Sequence, residues 1–161
     1  MQTKRNITNL RQHDICEEVV RSLRNGLGGD LVAAVLFGSR ARGDARPDSD
    51  WDILVLAKGL PMHPWDRHKA LKLLVPAVLR SSVSILAKTP VEFESHLPAL
   101  YLDIALDGRI LYDPSRYASN LMGRLRRTIE KAGLHRERTA DGDIWVWRDP
   151  PKGSWSLGWE P

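Results

Sequence analysis

Asp50 and Asp52 are the residues whose type and spacing most directly suggest chemistry. They flank Trp51 at the head of an apolar run, Trp51 to Leu56, that reads as a strand. Side chains two apart on a strand point to the same face, so the two carboxylates project together from its edge. Side by side they repel each other, and a divalent cation relieves that repulsion. Oxygen ligands at this density suit a hard ion such as magnesium.

A second apolar run, Val32 to Phe37, lies upstream and is short enough to be a strand buried on both faces. Gly38-Ser39 breaks it, and a basic, weakly hydrophobic segment leads to Ser49. The stretch therefore reads as strand, glycine turn, short polar helix, strand. Ahead of it, Asn6 to Asn25 reads as a helix, with Ile15, Val19 and Leu23 repeating at four beside Cys16 and Val20. Gly26, Gly28 and Gly29 end it.

Downstream, a turn at Lys58 to Pro61 precedes a helix from Trp65 to Leu74, with a kinked continuation past Pro76 as an option. Ser82 to Ala87 forms a third strand. Thr89 caps a helix with Pro90 at its first position, running through Ala105. Arg109 to Tyr112 is a short strand, and a helix opened by Asp113-Pro114 carries Tyr117, Leu121, Leu125 and Ile129 at intervals of four until Gly133. The composition then changes: Trp145, Trp147, Trp155 and Trp159 crowd the last 17 residues, and Asp143 to Arg148 alternates like a strand. A hairpin or extended arm fits that tail. The expected organisation is a domain over residues 1–135 and a Trp-rich extension over 136–161. His13, His63 and His68 read as surface residues without chemistry.

The 161 residues, 42% apolar and 27% charged, suit one domain with a core of its own and a small appendage. No apolar stretch approaches the roughly 20 residues that span a bilayer, and the N-terminal residues lack the apolar core of a secretory signal. The single cysteine, Cys16, excludes internal disulfides and a thiolate zinc cluster and points to a reducing cytoplasm. A net charge of +4 favours polyanionic partners such as nucleotides or RNA. Residues 116–138 concentrate seven Lys/Arg against two Glu, which reads either as a solvated face or as a phosphate-seeking one.

Gly38-Ser39, ten residues, then Asp50-Trp51-Asp52 resembles the signature of the DNA polymerase beta-like nucleotidyltransferase superfamily, and the GSRARG form is most similar to its minimal prokaryotic members. The resemblance implies an α/β (α+β) fold: a small mixed sheet with helices on one side. It implies magnesium on Asp50 and Asp52, and nucleotide phosphates held by Gly38 and Ser39. Gly38 admits close backbone approach, and Ser39 adds a hydroxyl at a helix start. Arg40 and Arg42 add charge, or one of them serves as a structural ion-pair partner. The reaction implied is transfer of a nucleoside monophosphate, AMP from ATP, to a hydroxyl on a protein or RNA. A helical HEPN toxin is the implied partner, with this chain as antitoxin. Active members carry a third carboxylate on the next strand, where this chain aligns Ser84; Glu92 and Glu94 fall on the following helix instead. A nucleotide- or RNA-binding module using the same cleft is therefore the alternative.

Overall fold

The computed structural model describes residues 12–140, 142–153 and 157–159. Its elements are helix α1 (Gln12–Leu27), strand β1 (Leu31–Phe37), the short helix α2 (Gly38–Arg42), β2 (Trp51–Ala57), α3 (Pro64–Leu74), β3 (Val83–Lys88), α4 (Pro90–Ser95), α5 (Ala99–Asp107), β4 (Arg109–Tyr112), α6 (Tyr117–Lys131), and the strands β5 (Leu134–Thr139) and β6 (Gly142–Trp147). The first part of the expected N-terminal helix, residues 6–11, lies outside the described residues.

β1 to β4 form one mixed sheet in the order β3-β2-β1-β4. β1 runs antiparallel to both β2 and β4, whereas β2 and β3 are parallel and joined by the α3 crossover. The expected small mixed sheet is present, but helices cover both of its faces rather than one. The reason is written in β1 and β2, whose apolar runs do not alternate with polar residues and so demand cover on each side. Ala34, Leu36, Ile53 and Val55 pack with Ile15, Cys16, Val19 and Leu23 of α1 and with Leu71 of α3. The alternate residues Ala33, Val35, Leu54 and Leu56 pack with Phe93, Ile104, Leu121 and Leu125 of α4, α5 and α6.

Prolines set two boundaries. α3 stops at Leu74 without continuing past Pro76, because Val75 is extended (ψ 135°) as a residue before proline prefers. The single helix expected from Thr89 to Ala105 is two, broken at residues 96–98, where Pro98 disfavours a helical Leu97. Thr89 caps α4 as expected: its hydroxyl accepts from the Glu92 N–H while the Glu92 carboxylate accepts from the Thr89 N–H.

β5 and β6 form a separate antiparallel hairpin. Its Trp145 and Trp147, with Leu157 and Trp159, lie against the second core. The Trp145 indole donates to Asp103 at 3.2 Å and the Trp159 indole to the His96 carbonyl at 3.1 Å. Trp155 lies outside the described residues.

Candidate active site

Topology gathers distant positions at one corner of the sheet. β1 ends where β2 begins because the two are antiparallel, so Phe37 stands opposite Asp52. β2 and β3 begin together because they are parallel, so Ser84 stands opposite Asp52 on the other side. The Trp51 N–H donates to the Ser82 carbonyl at 2.7 Å and fixes that register. Gly38 follows Phe37 with φ +72°, and a Cβ there would collide with Asp52 Oδ2. Only glycine combines that backbone conformation with so close an approach to the carboxylate. Ser39 is the next residue, in α2.

The electrostatics of the corner are unbalanced. Burial pushes the Asp52 carboxyl above the ordinary aspartate range, and the neighbouring Asp50 charge pushes it further. Arg42, Arg40 and a hydrogen bond with Ser84 only partly oppose this. Asp50 itself is exposed, immediately ahead of β2. Among the described residues no third His, Cys, Asp or Glu joins the pair to make a cluster of three.

The two arginines are anchored within the loop that links Ser39 to Asp50. The Arg40 guanidinium donates from Nε to the Ser49 carbonyl at 3.0 Å and lies 4.2 Å from the centre of the Trp51 ring. Arg42 donates from Nε to Asp44 at 3.2 Å. Arg40 also donates from a terminal nitrogen to the same Ser49 carbonyl at 2.6 Å, so its fork is occupied by the loop, whereas the Asp44 contact of Arg42 is made through Nε. Asp44 also accepts from Arg138 of the hairpin at 2.8 Å, and these two arginines hold its carboxyl below the usual range. Asp44 and Arg138 are the residues that the sequence pattern does not reveal, since 94 positions separate them.

Much of the positive charge of residues 116–138 is engaged within the chain. Arg124 pairs with Glu94, Arg126 donates to the Ala105 carbonyl, and Arg136 meets Asp103, Asp107 and Asp143. Glu92, the helix carboxylate nearest in sequence to Ser84, is clasped by Arg67 at the opposite end of β3. His63 and His68 stand on or beside α3, His68 stacked on Trp65. An open groove along α1 and β4, lined by His13, Cys16, Glu17, Arg24 and Leu111, does not include the paired aspartates.

Comparison with known proteins identifies the family. The family model described as polymerase beta, nucleotidyltransferase matches residues 17–117. Putative protein adenylyltransferase MJ1305 of Methanocaldococcus jannaschii is 31% identical over 126 residues, covering 74% of this chain and 84% of that protein. A solved toxin–antitoxin complex with AMP-PNP contains a chain of the same fold (TM-score 0.52, 20% identity, 72% of this chain and 87% of that one). So does the complex of a tri-AMPylated Shewanella oneidensis HEPN toxin with its MNT antitoxin (TM-score 0.51, 19% identity, 74% and 88%). The strand–glycine–serine–strand unit, the paired aspartates and the matched span together make this chain a member of the polymerase beta nucleotidyltransferase family.

Proposed function

We propose that this chain is a magnesium-dependent adenylyltransferase that moves AMP from ATP to a hydroxyl of a protein partner, a helical HEPN-type toxin, in a bacterial or archaeal cytoplasm. The observation that carries the reading is the corner itself: Gly38, Ser39, Asp50 and Asp52 assembled with a deficit of positive charge around the half-buried Asp52 carboxylate. Two carboxylates and a serine hydroxyl fit magnesium, which takes one or two protein carboxylates and completes its shell with water and phosphate oxygens. Asp50 and Asp52 would hold it, and its positive charge would offset the negative charge of the triphosphate. The Gly38 backbone and the Ser39 hydroxyl would seat phosphate oxygens beside them. In the transfer, the acceptor oxygen bonds to the α-phosphorus while the bond from that phosphorus to the bridging oxygen breaks. Pyrophosphate leaves with the electron pair, and the acceptor proton passes to water.

The name of the methanococcal relative and the AMPylated toxin beside a fold neighbour support protein as the acceptor. RNA is the acceptor to exclude in the same assay. Ser84 favours a second reading, a cleft that binds nucleotide but turns over slowly, because a hydroxyl supplies neither the charge nor the basicity of a third carboxylate.

Calorimetry with ATP and magnesium, on wild type and on the double variant Asp50→Asn/Asp52→Asn, tests the site. Binding in wild type and none in the variant is expected. Equal affinity in both, or no binding in wild type, overturns the proposal. Labelled ATP offered with a HEPN protein or with RNA then identifies the acceptor.

A further inference from the structure

We infer that Arg138, on the C-terminal hairpin, is a positioning residue for nucleotide binding, acting through Asp44 on the loop that follows Arg42 and leads to Asp50. The inference rests on the functional reading above and deepens it.

The loop between α2 and β2 is held from three directions. Its start folds back on α2 through the Gly43 and Asp44 N–H groups, which both donate to the Ser39 carbonyl. Its end is held by Arg40, which grips the Ser49 carbonyl and stacks on Trp51. The third hold is remote in sequence: Asp44 Oδ2 accepts from Arg42 Nε and from Arg138 at once. Arg138 in turn lies 3.4 Å from Asp143 on the paired strand β6. The hairpin beneath it is tied to α5 by Arg136, through Asp103 and Asp107, and by the Trp145 indole on Asp103. A continuous set of charged contacts thus runs from α5 through the hairpin to Asp44.

The hairpin also lies on the correct side of the sheet. Trp145 and Trp147 pack against the cluster that includes Leu54 and Leu56, which share the face of β2 from which Asp52 projects. Asp44 engages only Nε of Arg42 in this contact. It thus fixes the guanidinium while leaving the edge formed by its two terminal nitrogens unused by Asp44. Arg138 supplies the second cation that keeps Asp44 in place to do so.

The experiment uses the full chain. Hydrogen exchange of amides 43–50 is measured without nucleotide, and ATP affinity with magnesium by calorimetry. Arg138→Ala is expected to raise exchange in that segment severalfold. It should weaken ATP binding about threefold to fivefold, the range open to a mostly exposed ion pair. Asp44→Ala, which leaves the hairpin untouched, should do the same, and the double variant should be no worse than either single one. Arg138→Lys should recover part of the loss. Unchanged exchange and affinity in Arg138→Ala, or in Asp44→Ala, overturns the inference, as do multiplicative effects in the double variant. Failure of wild type to bind ATP overturns the functional reading instead, and the exchange measurement still decides whether the latch exists.

Discussion

Two acidic groups sit at opposite ends of the parallel pair β2–β3, and the chain treats them in opposite ways. At the far end Glu92 receives two guanidinium nitrogens of Arg67, at 2.7 and 2.9 Å, and the Thr89 N–H. The Arg67 hydrogen bonds and that of Thr89 bring its carboxyl down to about 2. At the near end Asp52 has Asp50 for a neighbour, loses water to burial, and is held above the ordinary range. A carboxylate that serves the fold is surrounded by donors. Asp52, which the proposed function makes a cation ligand, is left short of them.

The largest test of that contrast is to deepen the deficit. Ser84 stands opposite Asp52 and is exposed, so Ser84→Asp adds a third carboxylate to the corner rather than to the core. If the missing group limits the transfer, pyrophosphate release with an acceptor present should rise on the order of a hundredfold, within the span of a general base. Magnesium affinity, read by titration, should rise with it. No gain in a folded variant would place the limit elsewhere.

Next is the opposite operation at the far end. Arg67 is buried and also donates to the Pro61 and Ala87 carbonyls. Arg67→Ala strands those acceptors and Glu92 together and should cost about 3 kcal/mol. That corresponds to a fall of about 6–12 °C in Tm, with ATP affinity unchanged by calorimetry. A loss of binding as large as the loss of stability would mean that the two ends are coupled.

A smaller effect separates the ends by pH. Glu92 binds its proton more weakly folded than unfolded, so its stabilisation is complete above about pH 4.5 and is lost as pH falls toward 2. Glu92→Gln should flatten the melting curve against pH in that window while lowering Tm at pH 7. An unaltered acid slope would remove Glu92 from the account. Smallest of all, Asp52→Asn relieves the repulsion with Asp50 and should raise the Tm of the nucleotide-free chain by about 1–2 °C. A fall would mean that Asp52 is a structural acid after all.

The contrast also marks what could be read in the sequence. Gly38-Ser39 and the Asp50–Asp52 pair lie within 15 consecutive residues, and a local motif between two apolar runs is legible because strand periodicity alone orients its side chains. The place of Ser84 came from the resemblance, which aligns it with the third carboxylate on the next strand, and the structure sets it opposite Asp52. The covering of both sheet faces was implicit in the unbroken runs of β1 and β2, yet the expectation of one-sided helices passed over it. The break at Pro98 was also legible, since a proline disfavours a helical residue before it. What could not be read is the partner of each charge. Arg126, Arg136 and Arg138 look alike in a basic stretch, and only the folded chain sends them to Ala105, Asp103 with Asp107, and Asp44.

Trp51, between the two aspartates, has a bearing on motion. Its indole is buried in the first core and covered by Arg40, while Asp52 beside it is already within β2. Asp50 precedes the strand and is exposed. The pair is therefore asymmetric: Asp52 is half-buried within the strand, and Asp50 is exposed ahead of it. Most of the ordering entropy of closing the site falls on Asp50 and the loop behind it. Nanosecond order parameters should be high at Asp52 and low at Asp50, converging when the pair is bridged.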